Sequence, residues 1–196
     1  MDLVERAKAI ILKPKETWAV VKGEQTTVKE LFTSYAAILA LIPPLATFVG
    51  FSLVGMRIPV VGTWRQPVLS GLVYALVYYV LSLVGIYVTA YLANWLAPKF
   101  NSQQDLTSAM KAVVFSYTPV WIVSILCIIP SLSVLVIVGG LYSLYLLYLG
   151  LPAMMDTPSE KRIGYVVAVI IASIVVMFIV SWIAGMFLAS AHVGRM

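Results

Sequence analysis

The sequence predicts an all-α fold: a polytopic membrane bundle of five transmembrane helices preceded by an amphipathic N-terminal helix. Three observations carry that reading. Apolar residues make up 62% of the 196-residue chain and charged residues 11%. Ala112 to Met155 is a run of 44 residues without one Asp, Glu, Lys or Arg. As α-helix it would extend about 66 Å, roughly twice a bilayer's hydrocarbon core, so it must cross, turn and cross back. The apolar runs are also continuous rather than alternating, which points to helices and away from a β-barrel.

Residues 1–30 read as an amphipathic cytoplasmic segment. Leu3, Val4, Ala7, Ile10 and Ile11 follow helical spacing, with Glu5, Arg6 and Lys8 on other faces. Pro14 ends or restarts this helix, and Trp18, Val20 and Val21 form a second apolar patch. Such a segment suits the surface of an anionic leaflet, packing onto the cytoplasmic ends of the spans, or both together. It has no unbroken apolar stretch of the kind a cleavable signal requires.

Charges then delimit the spans. Glu30 to Arg57 encloses 26 uncharged residues, enough for one crossing; Arg65 to Lys99 encloses 33 and Arg162 to Arg195 encloses 32, each one long helix. The 44-residue run supplies two more crossings, broken at Ile129-Pro130-Ser131. The expected spans are roughly 31–55, 67–97, 108–130, 132–154 and 160–189, within a membrane domain of 31–190 and ahead of a tail at 191–196. Thr27-Val28-Lys29-Glu30 and Thr157-Pro158-Ser159-Glu160 fit capping boxes for the first and fifth spans, and Ser102-Gln103-Gln104-Asp105 is a weaker start for the third. Lys and Arg divide ten to three between the two sides, which places the N-terminus in the cytoplasm and the tail outside it. Trp18, Trp64 and Trp95 fall near the boundaries, as interfacial aromatics do.

Two groups of residues stand out as candidate sites. Pro43 and Pro44 at the middle of the first span free the carbonyls of Leu39 and Ala40, and Pro119 in the third frees that of Phe115. With Tyr117 and the tyrosines Tyr142, Tyr145 and Tyr148 they form a candidate intramembrane polar site, for which interhelical packing is the plainer explanation. A candidate cytoplasmic docking face gathers Glu16, Trp18, Glu30, Lys111, Asp156, Lys161 and Arg162. Small residues repeat every four positions at Gly85, Thr89, Ala93 and at Ser181, Gly185, Ala189; they suit close helix packing within the chain or in a homo-oligomer.

Several function classes lose support. No ionisable side chain falls near the centre of a span, where proton-coupled transporters keep one. The only His is His192 in the tail, and no hydrolase motif occurs. A lone Cys127 offers neither a disulfide nor a metal ligand set. No cofactor, catalytic group or nucleic-acid partner is expected. The expected partners are the lipid bilayer and a protein at the cytoplasmic face.

Taken in order and spacing, several segments resemble the Yip (Ypt/Rab-interacting protein) family of five-span membrane proteins. They are Pro14-Lys15-Glu16-Thr17-Trp18, Ile42-Pro43-Pro44, Phe115-Ser116-Tyr117-Thr118-Pro119, and Tyr145-Leu146-Leu147-Tyr148-Leu149-Gly150-Leu151-Pro152 running into Asp156-Thr157-Pro158. Lys161-Arg162-Ile163-Gly164-Tyr165 fits the prokaryotic branch. The resemblance implies the five-span topology and a non-enzymatic adaptor or organiser working from its cytoplasmic surface. The family's eukaryotic members are associated with Rab-type GTPases, but the Asp-Leu-Tyr-Gly-Pro motif of that branch is absent here, so Rab binding is not implied. The alternative is a small transporter, channel or lipid-handling protein with a cavity near the proline breaks.

Overall fold

The computed structural model describes residues 2–58 and 62–193, with the side chains of 187–193 excluded. Five helical stretches are long and apolar enough to cross a membrane: Val28–Val54, Val68–Phe100, Leu106–Ile128, Pro130–Met154 and Arg162–Met186. They match the five expected spans to within a few residues at most ends. The last helix continues to Val193. Of the expected tail, residues 194–196 lie outside the described residues, as do the side chains of Ala189 and His192.

The N-terminal segment is two helices, α1 (Leu3–Leu12) and α2 (Pro14–Gly23). Pro14 has no N–H to lose at a first helical position, so it restarts the chain instead of kinking it. The two helices fold back on one another and an Arg6–Glu24 ion pair closes their open end. Of the two placements open to this segment, packing against the spans is what the structure shows. Ile10, Trp18 and Val21 are buried, and α2 runs along the end of the fourth span. Arg6 had been read onto a polar face, yet it sits three residues after Leu3 and four before Ile10. It therefore shares their stripe and is buried with them.

Caps fix where the spans begin. Thr27 and Glu30 form the expected capping box. The third span is capped by Asp105, which accepts from Thr107 and Ser108, rather than by Ser102. Ser102 instead donates to Thr157 Oγ1 at 2.9 Å, tying the loop before the third span to the loop before the fifth. That bond also removes Thr157 from the expected capping box, and the fifth helix starts later, at Arg162. At the opposite end the first and second spans are joined by a short hairpin, β1 (Met56–Ile58) paired antiparallel with β2 (Gly62–Trp64), which the sequence pattern had not revealed. Gly55 enters it at φ 87°, a conformation that other residues resist.

The second and fifth helices share the most extensive contact in the bundle. The first small-residue stripe lies in this seam: Gly85 faces Val176 and Val180, and Thr89 and Ala93 are buried. Among the described residues of the second stripe, Ser181 is exposed and Gly185 has open space beside it.

Gly150 is where α2 meets the fourth span. A Cβ there would enter the six-membered ring of Trp18, which is 2% exposed. Gly150→Ala is expected to destabilise the protein by about 1–3 kcal/mol through overpacking. Thermal melting in detergent should show the drop, and Trp18→Phe in the Gly150→Ala background should recover part of it.

Candidate functional site at the N-terminal face

The site is built on Leu106–Ser116, the first half of the third span. Every residue from Ala109 to Ser116 is buried. The first, second and fourth spans and α2 clad it, and only its end, Phe115 and Ser116, borders a pocket and a crevice. Lys111 lies within this stretch, 5% exposed, and its ammonium donates to Val21 O at 3.2 Å and to Glu24 O. These are carbonyls at the C-terminal end of α2, where the helix dipole is negative and backbone donors run out, Val21 O keeping only the Glu24 N–H. A lysine can therefore stand in an apolar stretch without a carboxylate partner. Partial burial pushes the Asp105 carboxyl up, but the Ser108 and Thr107 donors and the Lys111 charge outweigh it, holding the group below its ordinary value.

Three of the segments that carried the family resemblance, those containing Trp18, Phe115 and Gly150, converge here. Phe115 is their meeting point: Trp18 packs edge-on at 6.3 Å between ring centres and Tyr35 at 4.9 Å. The Arg6 guanidinium lies 5.7 Å from the centre of the same ring. Tyr35 Oη and Thr118 Oγ1 are hydrogen-bonded at 2.9 Å in the interior. Beside this cluster a pocket of about 670 Å³ opens between α1, the Glu24–Thr26 turn and the start of the first span. A second groove of about 470 Å³ lies between α2 and the fourth–fifth connection, lined by Lys15, Trp18, Lys22, Asp156 and Arg162 among others.

The docking residues expected from sequence therefore separate. Glu16 is exposed, 3.8 Å from Lys13, and Glu30 is exposed in its capping box. Asp156 pairs with Lys22, and Lys161 and Arg162 are exposed at the head of the fifth helix. Trp18 and Lys111 are not surface residues. Trp18 fills the gap left by Gly150, and Lys111 is drawn inward by the α2 carbonyls. Arg6, Tyr35 and Gly150 belong to the cluster and had not been singled out as site residues. Arg6 carried a usable signal in its place on the apolar stripe of α1.

The intramembrane residues separate as well. The first span turns at Ala40–Leu41, and Ile42–Phe48 restarts with Pro43 and Pro44 in its first turn. The Leu41 N–H bonds back to Ile38, which leaves Ala37 O open, and Tyr79 Oη of the second span fills it at 3.0 Å. At the third-span break the Val120 N–H is met by Ser143 Oγ of the fourth span at 3.3 Å. A neighbouring hydroxyl thus meets one backbone group at each break, as hydrocarbon surroundings favour. Pro43 and Tyr117 do line one enclosed cavity of about 220 Å³, with the hydroxyl residues Tyr78, Ser82 and Ser124. Tyr117 and Val120 also line a neighbouring apolar crevice of about 370 Å³ between the third, fourth and fifth spans. Pro44 and Pro119 are buried outside both cavities.

Tyr142, Tyr145 and Tyr148 leave the expected polar site. Tyr142 Oη donates to Ile11 O at 2.7 Å and pins the tip of the α1–α2 hairpin. Tyr145 and Tyr148 are exposed on the outer surface of the bundle. Tyr87 and Tyr91 are exposed in the same layer, because Tyr117 faces both Thr89 and the Leu144–Leu147 stretch. One turn beyond, Lys99 Nζ lies 4.4 Å from the Trp95 ring. This ring of aromatics marks a membrane interface. The second helical stretch, 33 residues or about 50 Å long, exceeds the hydrocarbon core of about 30 Å. Its surplus, with the α1–α2 hairpin, therefore stands on the headgroup side of the ring.

Comparison with known proteins agrees with this architecture. The family model described as the Yip1 domain matches residues 8–191. Among curated proteins, the "Inner membrane protein YohC" of Escherichia coli strain K12 is 23% identical over 155 residues, covering 78% of this chain and 80% of that protein. The protein of the same name from E. coli O6:H1 matches with the same figures. No solved structure shows significant similarity.

Lys111→Met keeps the length of the side chain but removes the ammonium donor from the Val21 and Glu24 carbonyls, of which Val21 O keeps the Glu24 N–H. It is expected to cost about 1–3 kcal/mol. Limited proteolysis should then cut the α1–α2 segment faster than in the native protein, whereas Lys111→Arg should retain most of the protection.

Proposed function

The chain belongs to the Yip1 domain family, and from that premise we propose that it is a multi-pass inner-membrane protein acting as a non-enzymatic adaptor or organiser. The observation that carries the proposal is the construction of the N-terminal face. A charged helical hairpin is locked onto the bundle by Trp18, Lys111 and Tyr142 and presents Glu16 outward, beside Lys161 and Arg162 exposed at the head of the fifth helix. A firmly held polar surface suits protein recognition, because little ordering entropy remains to be lost on binding. In this reading the N-terminal face is cytoplasmic, 1–30 is its recognition segment, 31–190 is the membrane domain and 191–196 is the outer tail. The ten-to-three division of Lys and Arg supports that orientation. The inner membrane is the location named for the E. coli relative.

A second reading draws on the cavity and crevice that share Tyr117 and Val120. They would give a small transporter or lipid-handling protein a path from the bilayer to the Pro43 turn. Their linings carry hydroxyl groups but no charged side chain, which fits an apolar or neutral cargo better than an ion.

Orientation is tested first. In a Cys127→Ser background, Thr63→Cys should react with a membrane-impermeant maleimide on intact cells, and Glu16→Cys only after the membrane is opened. The reverse pattern would reject the cytoplasmic face. A photocrosslinker placed at Glu16 or Lys161 should then yield a discrete protein adduct. The same probe at lipid-facing Phe178 should not. If neither position gives an adduct, and reconstituted protein moves a neutral solute in a manner lost in Tyr117→Ala, the second reading replaces the first.

A further inference from the structure

We propose that the groove between α2 and the fourth–fifth connection binds the phosphate of an anionic membrane phospholipid, with its acyl chains descending along the tyrosine face of the fourth span. The inference does not depend on the adaptor reading. It rests on the groove, its charge and its level in the membrane.

One wall of the groove is the stripe Lys15, Trp18, Ala19 and Lys22 of α2, residues spaced three, four and seven apart and so on one helical face. The other wall is the end of the fourth span and the chain leading to Arg162. Alanines at positions 19 and 153 face the groove and keep it open, with a volume of about 470 Å³. Three cations line it and one carboxylate, Asp156, which is already engaged by Lys22. Among the described residues Lys15 and Arg162 have no carboxylate within ion-pair distance. Arg162 also opens a long helix, whose first N–H groups favour an anion at the same place.

The charge balance selects the ligand. Two uncommitted cations suit a phosphodiester, and the lining holds no uncommitted carboxylate to receive the ammonium of a zwitterionic headgroup. The level selects the source. Tyr145, Tyr148 and Pro152 lie at helical spacings of three, four and seven, so the exposed tyrosines lead along one face of the fourth span into the groove wall. A phosphate in the groove would sit just outside the aromatic ring, where headgroups lie, with its chains inside it.

Native mass spectrometry of the delipidated full chain tests this, by titration with phosphatidylglycerol and with phosphatidylcholine of the same acyl chains. The native protein should retain phosphatidylglycerol preferentially. Lys15→Gln/Arg162→Gln should lose that preference by about ten-fold or more, as expected for two surface cations, while phosphatidylcholine binding stays unchanged. Lys8→Gln/Lys29→Gln removes two cations outside the groove and should keep it. An unchanged preference in the groove variant overturns the proposal, and so does an equal loss in both variants, which would mean general surface charge. Displacement of the lipid by millimolar inorganic phosphate would likewise overturn the lipid assignment in favour of a soluble anion. If the double variant melts earlier than the native protein, Lys15→Gln alone, at an exposed position, gives the deciding comparison.

Discussion

Every residue of the stretch Ala109–Ser116 is buried, and the rest of the bundle is arranged around that constraint. A helix at the edge of a membrane bundle normally keeps one side for lipid. Here the first, second and fourth spans cover most of the third, and the α1–α2 hairpin closes the remaining side near the N-terminal face. The hairpin is therefore part of the bundle's interior packing rather than an appendage lying on a leaflet. Its hold is specific: Trp18 occupies the notch at Gly150, and Lys111 terminates α2. Lys111 contributes in two ways, since its charge meets the dipole of α2 and its ammonium supplies a donor to Glu24 O and a second one to Val21 O.

Hydrogen-bond satisfaction in hydrocarbon explains the fate of the prolines and many of the hydroxyls. A break in a spanning helix exposes backbone groups that lipid cannot solvate. Tyr79 and Ser143 reach across to the first and third spans to meet such groups, while Tyr165 donates to Ala93 O and Tyr142 to Ile11 O. Four interhelical bonds of one kind, side-chain hydroxyl to backbone, thus hold adjacent elements in register. Of the tyrosines expected at an intramembrane site, they account for Tyr142. What remains is the small cavity at Pro43 and Tyr117 with the crevice beside it, whose walls are hydroxylic and apolar.

The position of the bundle in the bilayer follows from the exposed aromatics. Tyr87, Tyr91, Tyr145 and Tyr148 project outward at one level, and Trp95 with Lys99 stands just beyond. The bundle's polar end is consequently a short cap in the headgroup layer carrying both solvent-open pockets near the Phe115 cluster.

The sequence by itself determined the fold class, the number of spans and most of their limits. Those follow from hydrophobic length and from where charges cannot go, properties local to each segment. It determined the first-span cap at Thr27 and Glu30 for the same reason. Tertiary structure decided which residues of each span face inward. Every side of a membrane helix is apolar, so periodicity does not distinguish a lipid-facing tyrosine such as Tyr145 from an inward one such as Tyr35. It also decided that Trp18 and Lys111 are interior, because their partners, Gly150 and the end of α2, lie far away in the chain. The groove of Lys15, Lys22, Asp156 and Arg162 was hidden for that reason too: its two walls are more than a hundred residues apart, and only packing brings them together.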